Sequence, residues 1–229
     1  MAKGTLSVVA TPIGNLGDVT LRALETFKNA DAIACEDTRV TAKLLARYEI
    51  SKPLLIFHAQ SGKRASDKIL TLLGEGKRIV LVTDAGTPGI SDPGNELVAE
   101  VRERLGEDVT IEAIPGASAL TAALSVAGLP TAEFTFLGFL PHKKGRQTLF
   151  KEIAASKRAV VFYESPHRIE KALDSLVTSL EADRQLVVCR EITKMYESIV
   201  TGTAAKCRAH FSAFPVEVRG EFVVIVAPG

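Results

Sequence analysis

The residues of this chain best suited to chemistry stand together in one loop, Thr83-Asp84-Ala85-Gly86-Thr87-Pro88-Gly89-Ile90-Ser91-Asp92-Pro93-Gly94. Its three glycines let backbone approach a ligand closely and take positive φ, and its two prolines stiffen what the glycines loosen. Asp84 and Asp92 add negative charge that can grip a polar or cationic ligand. The loop follows the apolar run Arg78-Ile79-Val80-Leu81-Val82, which reads as a short buried strand. In open α/β sheets, ligands bind just beyond the carboxyl ends of strands, so the loop lies where a small-molecule site is expected. An ordinary connection rich in turn residues is the competing reading; the density of special residues weighs against it.

Spacing excludes several other chemistries. Neither G-x-x-x-x-G-K-[ST] nor G-x-G-x-x-G occurs, and Gly74-Glu75-Gly76-Lys77 lacks the following hydroxyl residue. Cys35, Cys189 and Cys207 show neither disulfide nor metal spacing, and no His/Cys/Asp cluster is spaced for a metal. An odd, scattered set of cysteines suits a reducing cytoplasm. The 229 residues suffice for a sizeable core in one large or two small domains, and 46% hydrophobic with 24% charged residues is the balance of a folded globule. The net charge of +1 creates no global field that would advertise nucleic acid, although a local patch can suffice. No signal peptide and no apolar run long enough to span a membrane is visible.

The elements that must position the loop alternate between strand and helix. Strand-like runs at 6–10, 32–35, 54–57, 79–82 and 109–113 are separated by helical patterns. These are Leu21, Leu24 and Phe27 with Thr20 as N-cap, then 40–48, then Ile69, Leu70, Leu72 and Leu73 ended by Gly74, then 96–105. Near-continuous apolar strands in this rhythm predict a largely parallel sheet covered on both faces. Pro115-Gly116 then breaks the chain before a small-residue helix at 117–127. The rhythm changes afterwards: strands at 134–139, 159–163, 186–190, 198–202 and 222–226, and helices at 146–156 and at 166–180, the latter capped by Ser165. The close spacing of the last strands predicts antiparallel pairs. The expectation is α/β with two unlike domains, 1–116 with a mostly parallel sheet and 117–229 with a mixed sheet, and a ligand cleft between them.

Several segments, taken in order, resemble the tetrapyrrole methylase superfamily and, within it, the ribosomal RNA small subunit methyltransferase I family. They are Thr11-Pro12-Ile13-Gly14-Asn15-Leu16, Glu36-Asp37-Thr38-Arg39, Asp84-Ala85-Gly86-Thr87-Pro88 with Ser91-Asp92-Pro93-Gly94, and Pro115-Gly116. Further along stand Gly138-Phe139-Leu140-Pro141, Phe162-Tyr163-Glu164-Ser165 with His167-Arg168, Arg190-Glu191 with Thr193-Lys194, and Gly220-Glu221. His58-Ala59-Gln60-Ser61 departs from the family pattern. The resemblance implies two unlike α/β domains holding S-adenosylmethionine (SAM), a homodimer in the cytoplasm, and 2′-O-methylation of a cytidine in the decoding region of 16S ribosomal RNA. A methylase of a small tetrapyrrole-like substrate, and a non-catalytic SAM- or RNA-binding assembly factor, remain open alternatives.

By the same resemblance, the cofactor contacts fall on Pro12, Asp84, Ala85, Gly86, Ile90, Ser118, Ala119, Tyr163, Glu164, Ile192 and Gly220. For Asp84 the competing reading is a turn cap; for Ile90 and Ile192 it is core packing. Methyl transfer to a hydroxyl is an in-line displacement that depends mainly on alignment. The candidate bases or orienters are Asp37 with Arg39, and Glu191 with Lys194. A desolvated lysine can act as a base, and surface ion pairing is the alternative for both clusters. For an RNA partner, Pro141-His142-Lys143-Lys144-Gly145-Arg146 is the best phosphate-contact candidate, through His142, Lys143, Lys144 and Arg146. Arg168 could add to it, and Lys63-Arg64 is a weaker patch. His58 and His210 read as structural.

Overall fold

The computed structural model describes residues 3–58 and 62–229, the side chains of 62–64 excepted. The Lys63-Arg64 patch, and 59–61 of the segment that departs from the family pattern, therefore lie outside the described residues. The chain divides into two compact units, Met1–Ser118 and Ala119–Gly229.

The first unit alternates β1 (Gly4–Val9), α1 (Leu21–Asn29), β2 (Ala32–Cys35), α2 (Thr38–Arg47), β3 (Leu54–Ile56), α3 (Gly62–Gly74), β4 (Arg78–Leu81), α4 (Asn95–Leu105) and β5 (Val109–Ile114). Its strands form one sheet in the order β3-β2-β4-β1-β5, and every pairing is parallel. Successive side chains point to opposite faces of a strand, and both faces are covered. Leu6, Ala32, Ala34, Ile79 and Leu81 pack with Leu97 and Val101 of α4. Val9, Ile33, Cys35 and Val80 pack with Ala23 and Phe27 of α1 and with Leu44 and Leu45 of α2. This explains the uninterrupted apolar strands. Thr20 caps α1, its side chain accepting the Ala23 N–H at 3.1 Å. Of the three residues at helical spacing, Phe27 is buried and Leu24 packs at the margin, while Leu21 in the first turn stays exposed.

The connection leaving β1 passes β4 to reach β2, and the connection leaving β4 passes β1 to reach β5. Their helices, α1 and α4, belong to the two opposite cores. The loops after β1 and β4, adjacent strands, therefore diverge and open a crevice at the carboxyl edge, the topological switch point of the sheet.

The second unit contains α5 (Ala119–Val126), β6 (Phe134–Phe139), α6 (Arg146–Ala155), β7 (Ala159–Glu164), α7 (Ile169–Ser179), β8 (Gln185–Arg190), β9 (Ser198–Thr203), α8 (Ala204–Ala213) and β10 (Phe222–Val226). The sheet order is β6-β7-β10-β8-β9, with β6 and β7 parallel and the other pairs antiparallel. Alternate residues of β10 again serve two cores: Phe222, Val224 and Val226 on one face, Val223 and Ile225 on the other. Two helix starts differ from expectation. Helix α5 begins at Ala119 rather than 117. Helix α7 begins at Ile169, because 166–168 form a turn in which the Ser165 carbonyl accepts both the Arg168 and Ile169 N–H groups. The Ser165 hydroxyl is not the cap; it accepts Arg168 Nε at 3.3 Å.

Candidate functional site

In the first unit, the loop after β4 is fastened on several sides. Thr11 and Gly86 exchange both backbone hydrogen bonds, Thr11 N–H to Gly86 O at 2.9 Å and Gly86 N–H to Thr11 O at 3.0 Å. The Thr11 hydroxyl donates to Thr83 O at 3.1 Å, and the Thr87 hydroxyl to Ala117 O at 3.2 Å. The switch-point crevice is thus bridged at its base by main chain. Gly86 has φ +84°, so glycine meets a conformational demand of the backbone, while a Cβ there would make only an ordinary contact, 3.4 Å from Ile13 Cγ2. Farther along the loop, Ser91 takes the left-handed region without being glycine, at φ +66°.

Asp84 is exposed beside the small, exposed Ala85. Its Oδ1 accepts the Asp37 N–H at 3.1 Å. The turn-cap reading and the ligand reading of Asp84 therefore both have a structural basis, since one oxygen caps a neighbouring loop while the carboxylate stays open to solvent. Its neighbour Thr83 donates its hydroxyl to Glu36 Oε1, a link between the same two loops. Ile90 is 41% exposed, an apolar surface left outside the core, whereas Pro12 is buried. An exposed carboxylate, the exposed Ala85 and the exposed apolar Ile90 along a switch-point crevice fit a cationic ligand with an apolar face.

Asp37 caps α2 by accepting the Arg39 N–H at 2.8 Å and also holds the Arg39 guanidinium in a fork, Nε to Oδ1 at 3.0 Å and Nη2 to Oδ2 at 2.6 Å. These hydrogen bonds from Arg39 hold the Asp37 carboxyl at about 2. A carboxylate so weakly basic is a poor proton acceptor. The pair acts instead as an oriented ion pair, with the Arg39 side chain 88% exposed.

In the second unit, Glu191 and Lys194 are joined by an acid not foreseen from the sequence. Lys194 Nζ donates to Glu191 Oε1 at 2.8 Å and to Glu221 Oε2 at 2.9 Å, and the Glu221 N–H donates to Glu191 Oε1 at 2.9 Å. Burial pulls the Lys194 ammonium down, but the hydrogen bonds to Glu191 and Glu221 outweigh it and leave its pKa raised. Of the two readings of this cluster, the geometry favours the ion pair over the desolvated lysine base. Burial works against the Glu191 carboxylate, yet Lys194 and the Glu221 N–H bring its pKa below the usual range. The cluster clasps a strained turn in which Glu191 and Thr193 have φ +51° and +69°. Gly220 belongs to the same clasp, because a Cβ there would lie 2.2 Å from Glu191 Cδ. Ile192 is half-buried and packs against the β10 core.

Tyr163 and Glu164, adjacent on β7, have different surroundings. Tyr163 meets Phe136 and Phe139 edge-on, with ring centroids 4.9 and 5.4 Å apart. The Glu164 side chain is fully buried and paired with Arg146 Nη2 at 3.2 Å and Arg168 Nη2 at 2.8 Å. Its carboxylate therefore faces protein donors, which corrects the expectation of a cofactor contact through this side chain, and each of the two arginines expected at RNA phosphates gives one Nη to Glu164. His142, Lys143 and Lys144 are exposed on the loop between β6 and α6. A depression of about 420 Å³ beside them is lined by Lys143, Gly145, Arg146, Gln147, Thr148, Phe150 and Ser175. Ser118 closes the first unit and Ala119 opens α5 in the second. No group of His, Cys, Asp and Glu among the described residues could hold a metal ion. All three cysteines are buried, and desolvation pushes Cys189 and Cys207 up to about 11.

Comparison with known proteins bears on the family and the fold of the chain. Residues 5–207 match the family model for tetrapyrrole (corrin/porphyrin) methylases. A protein of Halalkalibacterium halodurans named ribosomal RNA small subunit methyltransferase I is 45% identical over 225 residues, covering 98% of this chain and 76% of the relative. Its namesake in Thermotoga maritima is 42% identical over 224 residues, covering 98% of both chains. Among solved structures, the methyltransferase CobJ superposes with a TM-score of 0.71 at 21% identity, over 99% of this chain and 95% of that one. Uroporphyrin-III-C-methyltransferase from Thermus thermophilus gives 0.66 at 17%, over 98% and 94%. At those identities the structures speak for the fold alone. The chain has the tetrapyrrole methylase fold, and it belongs to the ribosomal RNA small subunit methyltransferase I family within the tetrapyrrole methylases.

Proposed function

We propose that this protein is a SAM-dependent methyltransferase of small-subunit ribosomal RNA, and that it methylates the ribose 2′-hydroxyl of a cytidine in the decoding region of 16S RNA. The observation that carries the reading is the switch-point loop with its exposed Asp84, in a chain whose 42–45% identical relatives bear the name of such an enzyme. SAM supplies a methyl group on a positively charged sulfur. Asp84 is assigned to a cationic or hydroxyl group of that ligand, Ala85 offers backbone, Gly86 holds the loop through its paired N–H and C=O, and Ile90 and Ser118 complete the contacts proposed for the first unit, while Ala119 is a contact proposed for the second. Pro12, buried and next in sequence to the Thr11 that pairs with Gly86, is proposed to line the wall opposite the loop. Tyr163, Ile192 and Gly220 are the second unit's other proposed contacts; the first presents an aromatic edge, the other two a backbone turn fixed by Glu191.

Asp37 and Arg39 are assigned to orientation of the reacting ribose, because the fork fixes an exposed guanidinium. The protein's main contribution is alignment of hydroxyl, methyl and leaving sulfur. Lys143 and Lys144, with His142, are proposed to meet RNA phosphates. A cytoplasmic homodimer acting on small-subunit ribosomal RNA or on the 30S subunit completes the reading. The test is transfer of labelled methyl from SAM to small ribosomal subunits lacking the modification, with the product mapped by nuclease resistance of the ribose. A single 2′-O-methylcytidine in the decoding region is expected; absence of transfer by protein that binds SAM overturns the RNA assignment.

A further inference from the structure

We infer that Glu164 is a positioning residue for RNA binding: by clamping Arg146 and Arg168 it fixes both ends of the basic loop at 141–145 and holds it as one phosphate-binding surface. This rests on the proposed RNA reading and names how the protein builds that surface.

The clamp is built entirely within the second unit. Glu164 ends β7, is 1% exposed, and has three donors: Arg146 Nη2, Arg168 Nη2 and the Ser165 N–H at 2.9 Å. Each arginine turns a second nitrogen to the loop. Arg168 Nη1 donates to Leu140 O at 2.9 Å, and Arg146 Nη1 donates to Pro141 O at 3.1 Å. Leu140 and Pro141 are where the chain leaves β6 and enters the basic loop, and Arg146 is where it enters α6. One buried carboxylate thus determines where the loop starts and where it ends. The Arg146 guanidinium is further fixed over the Phe150 ring, 5.2 Å from its centroid. Gly145 turns the chain into α6 at φ +81° with open space around its missing Cβ, so the turn requires backbone freedom and meets no obstacle.

The charges do not cancel. Two guanidinium groups face one carboxylate, and among the described residues no second acid pairs with either arginine. A surplus positive charge remains at the wall of the depression that Lys143, Arg146, Gln147 and Thr148 line. A group of this make-up suits a phosphodiester: a half-buried, immobilised cation, a mobile lysine and neutral hydrogen-bonding side chains. Loops held by fixed groups lose less entropy on binding than free ones, which is the function assigned to Glu164.

The test uses the full chain and a fluorescein-labelled RNA oligonucleotide of the decoding-region hairpin, titrated across a salt series. Glu164→Gln keeps shape and removes the anion. It is expected to weaken RNA binding about tenfold, to lower the slope of log K against log salt by about 0.7–0.9 for each phosphate the loop no longer neutralises, and to speed tryptic cleavage after Lys143 and Lys144. SAM affinity should stay within about twofold. In that background, Lys143→Ala should add little to a loss that it causes in the parent. Arg146→Lys, which keeps charge but loses the fork, should reproduce the effect in a chain that keeps the buried acid and so tests the clamp if Glu164→Gln fails to fold. Unchanged cleavage and RNA affinity in both variants, or an equal loss of SAM and RNA affinity, overturns the inference. If Lys143→Ala/Lys144→Ala binds RNA as the parent does, the reading of the loop as an RNA contact fails first, and the inference with it.

Discussion

The carboxylate of Asp84 accepts the backbone N–H of Asp37 at 3.1 Å across 47 residues of sequence. Asp84 follows β4 and Asp37 follows β2, which are neighbours in the sheet. One residue therefore ties together two of the loops at the carboxyl edge and, in the proposed function, also offers charge to the ligand. Any experiment on Asp84 must separate these two jobs.

Asp84→Asn separates them. The amide oxygen still accepts the Asp37 N–H, while the charge is gone. A charge-assisted hydrogen bond contributes roughly 1.5–3 kcal/mol, so SAM affinity measured by calorimetry should fall roughly 10- to 150-fold with the melting temperature preserved. Asp84→Ala should lose the same affinity and a further ~1 kcal/mol of stability as the Asp37 amide loses its partner. Wild-type SAM affinity in the asparagine variant would remove the loop from the cofactor site.

The fold was legible because local signals agreed. Thr20 does cap α1, the 32–35 run is β2, and the apolar strands have two covered faces. Helix α7 shows the limit. Ser165 has the right residue type for a cap, but its hydroxyl turns to Arg168 and its carbonyl takes the amides. The site was legible as loops and not as contacts. The Glu191-Lys194 spacing was visible, yet its partner Glu221 comes 27 residues after Lys194, and only the pairing of β8 with β10 brings them together. Likewise Glu164, Arg146 and Arg168 were each visible in motifs, but burial converts them from ligand contacts into a clamp. Burial of a charge is a property of three-dimensional packing that sequence spacing does not encode.

The Glu191-Lys194-Glu221 clasp should have a defined pH window. The folded Glu191 pKa lies below its ordinary 4.5, so its contribution is complete above that value and is lost as pH falls through the lowered folded value. The folded Lys194 pKa lies above its ordinary 10.5, so its contribution is complete below that value and is lost as pH rises through the raised folded value. Between 4.5 and 10.5, protection of the Glu221 amide, corrected for intrinsic exchange, should therefore be constant. A change in corrected protection near neutrality would contradict the charge states assigned to the clasp.

Gly220→Ala should break the same clasp from the other side. The φ of +84° disfavours any side chain, and the new Cβ would lie on the Glu191 carboxyl. Left-handed strain together with the displaced Glu191 should cost about 2–3 kcal/mol by denaturant unfolding. Glu191→Ala/Gly220→Ala should cost less than the sum of the single variants, because the clash disappears with the Glu191 side chain. Full additivity would place the damage in backbone strain alone.

With Asp37 held at about 2 and Lys194 held as an ammonium, neither cluster supplies a base that titrates near neutrality. The transfer should then depend on alignment, and the rate at saturating SAM and RNA should show no limb from either residue between about pH 5 and pH 9. Lys194→Ala should lower kcat by about tenfold or less, through loosening of the 191–197 turn, where loss of a general base removes roughly 10²–10⁴. Asp37→Asn should act mainly by freeing Arg39, so Asp37→Asn and Arg39→Ala together should cost about as much as either alone. A lysine-dependent limb near neutral pH in the parent, abolished in Lys194→Ala, would show that bound substrate resets the Lys194 pKa and would restore it as the base.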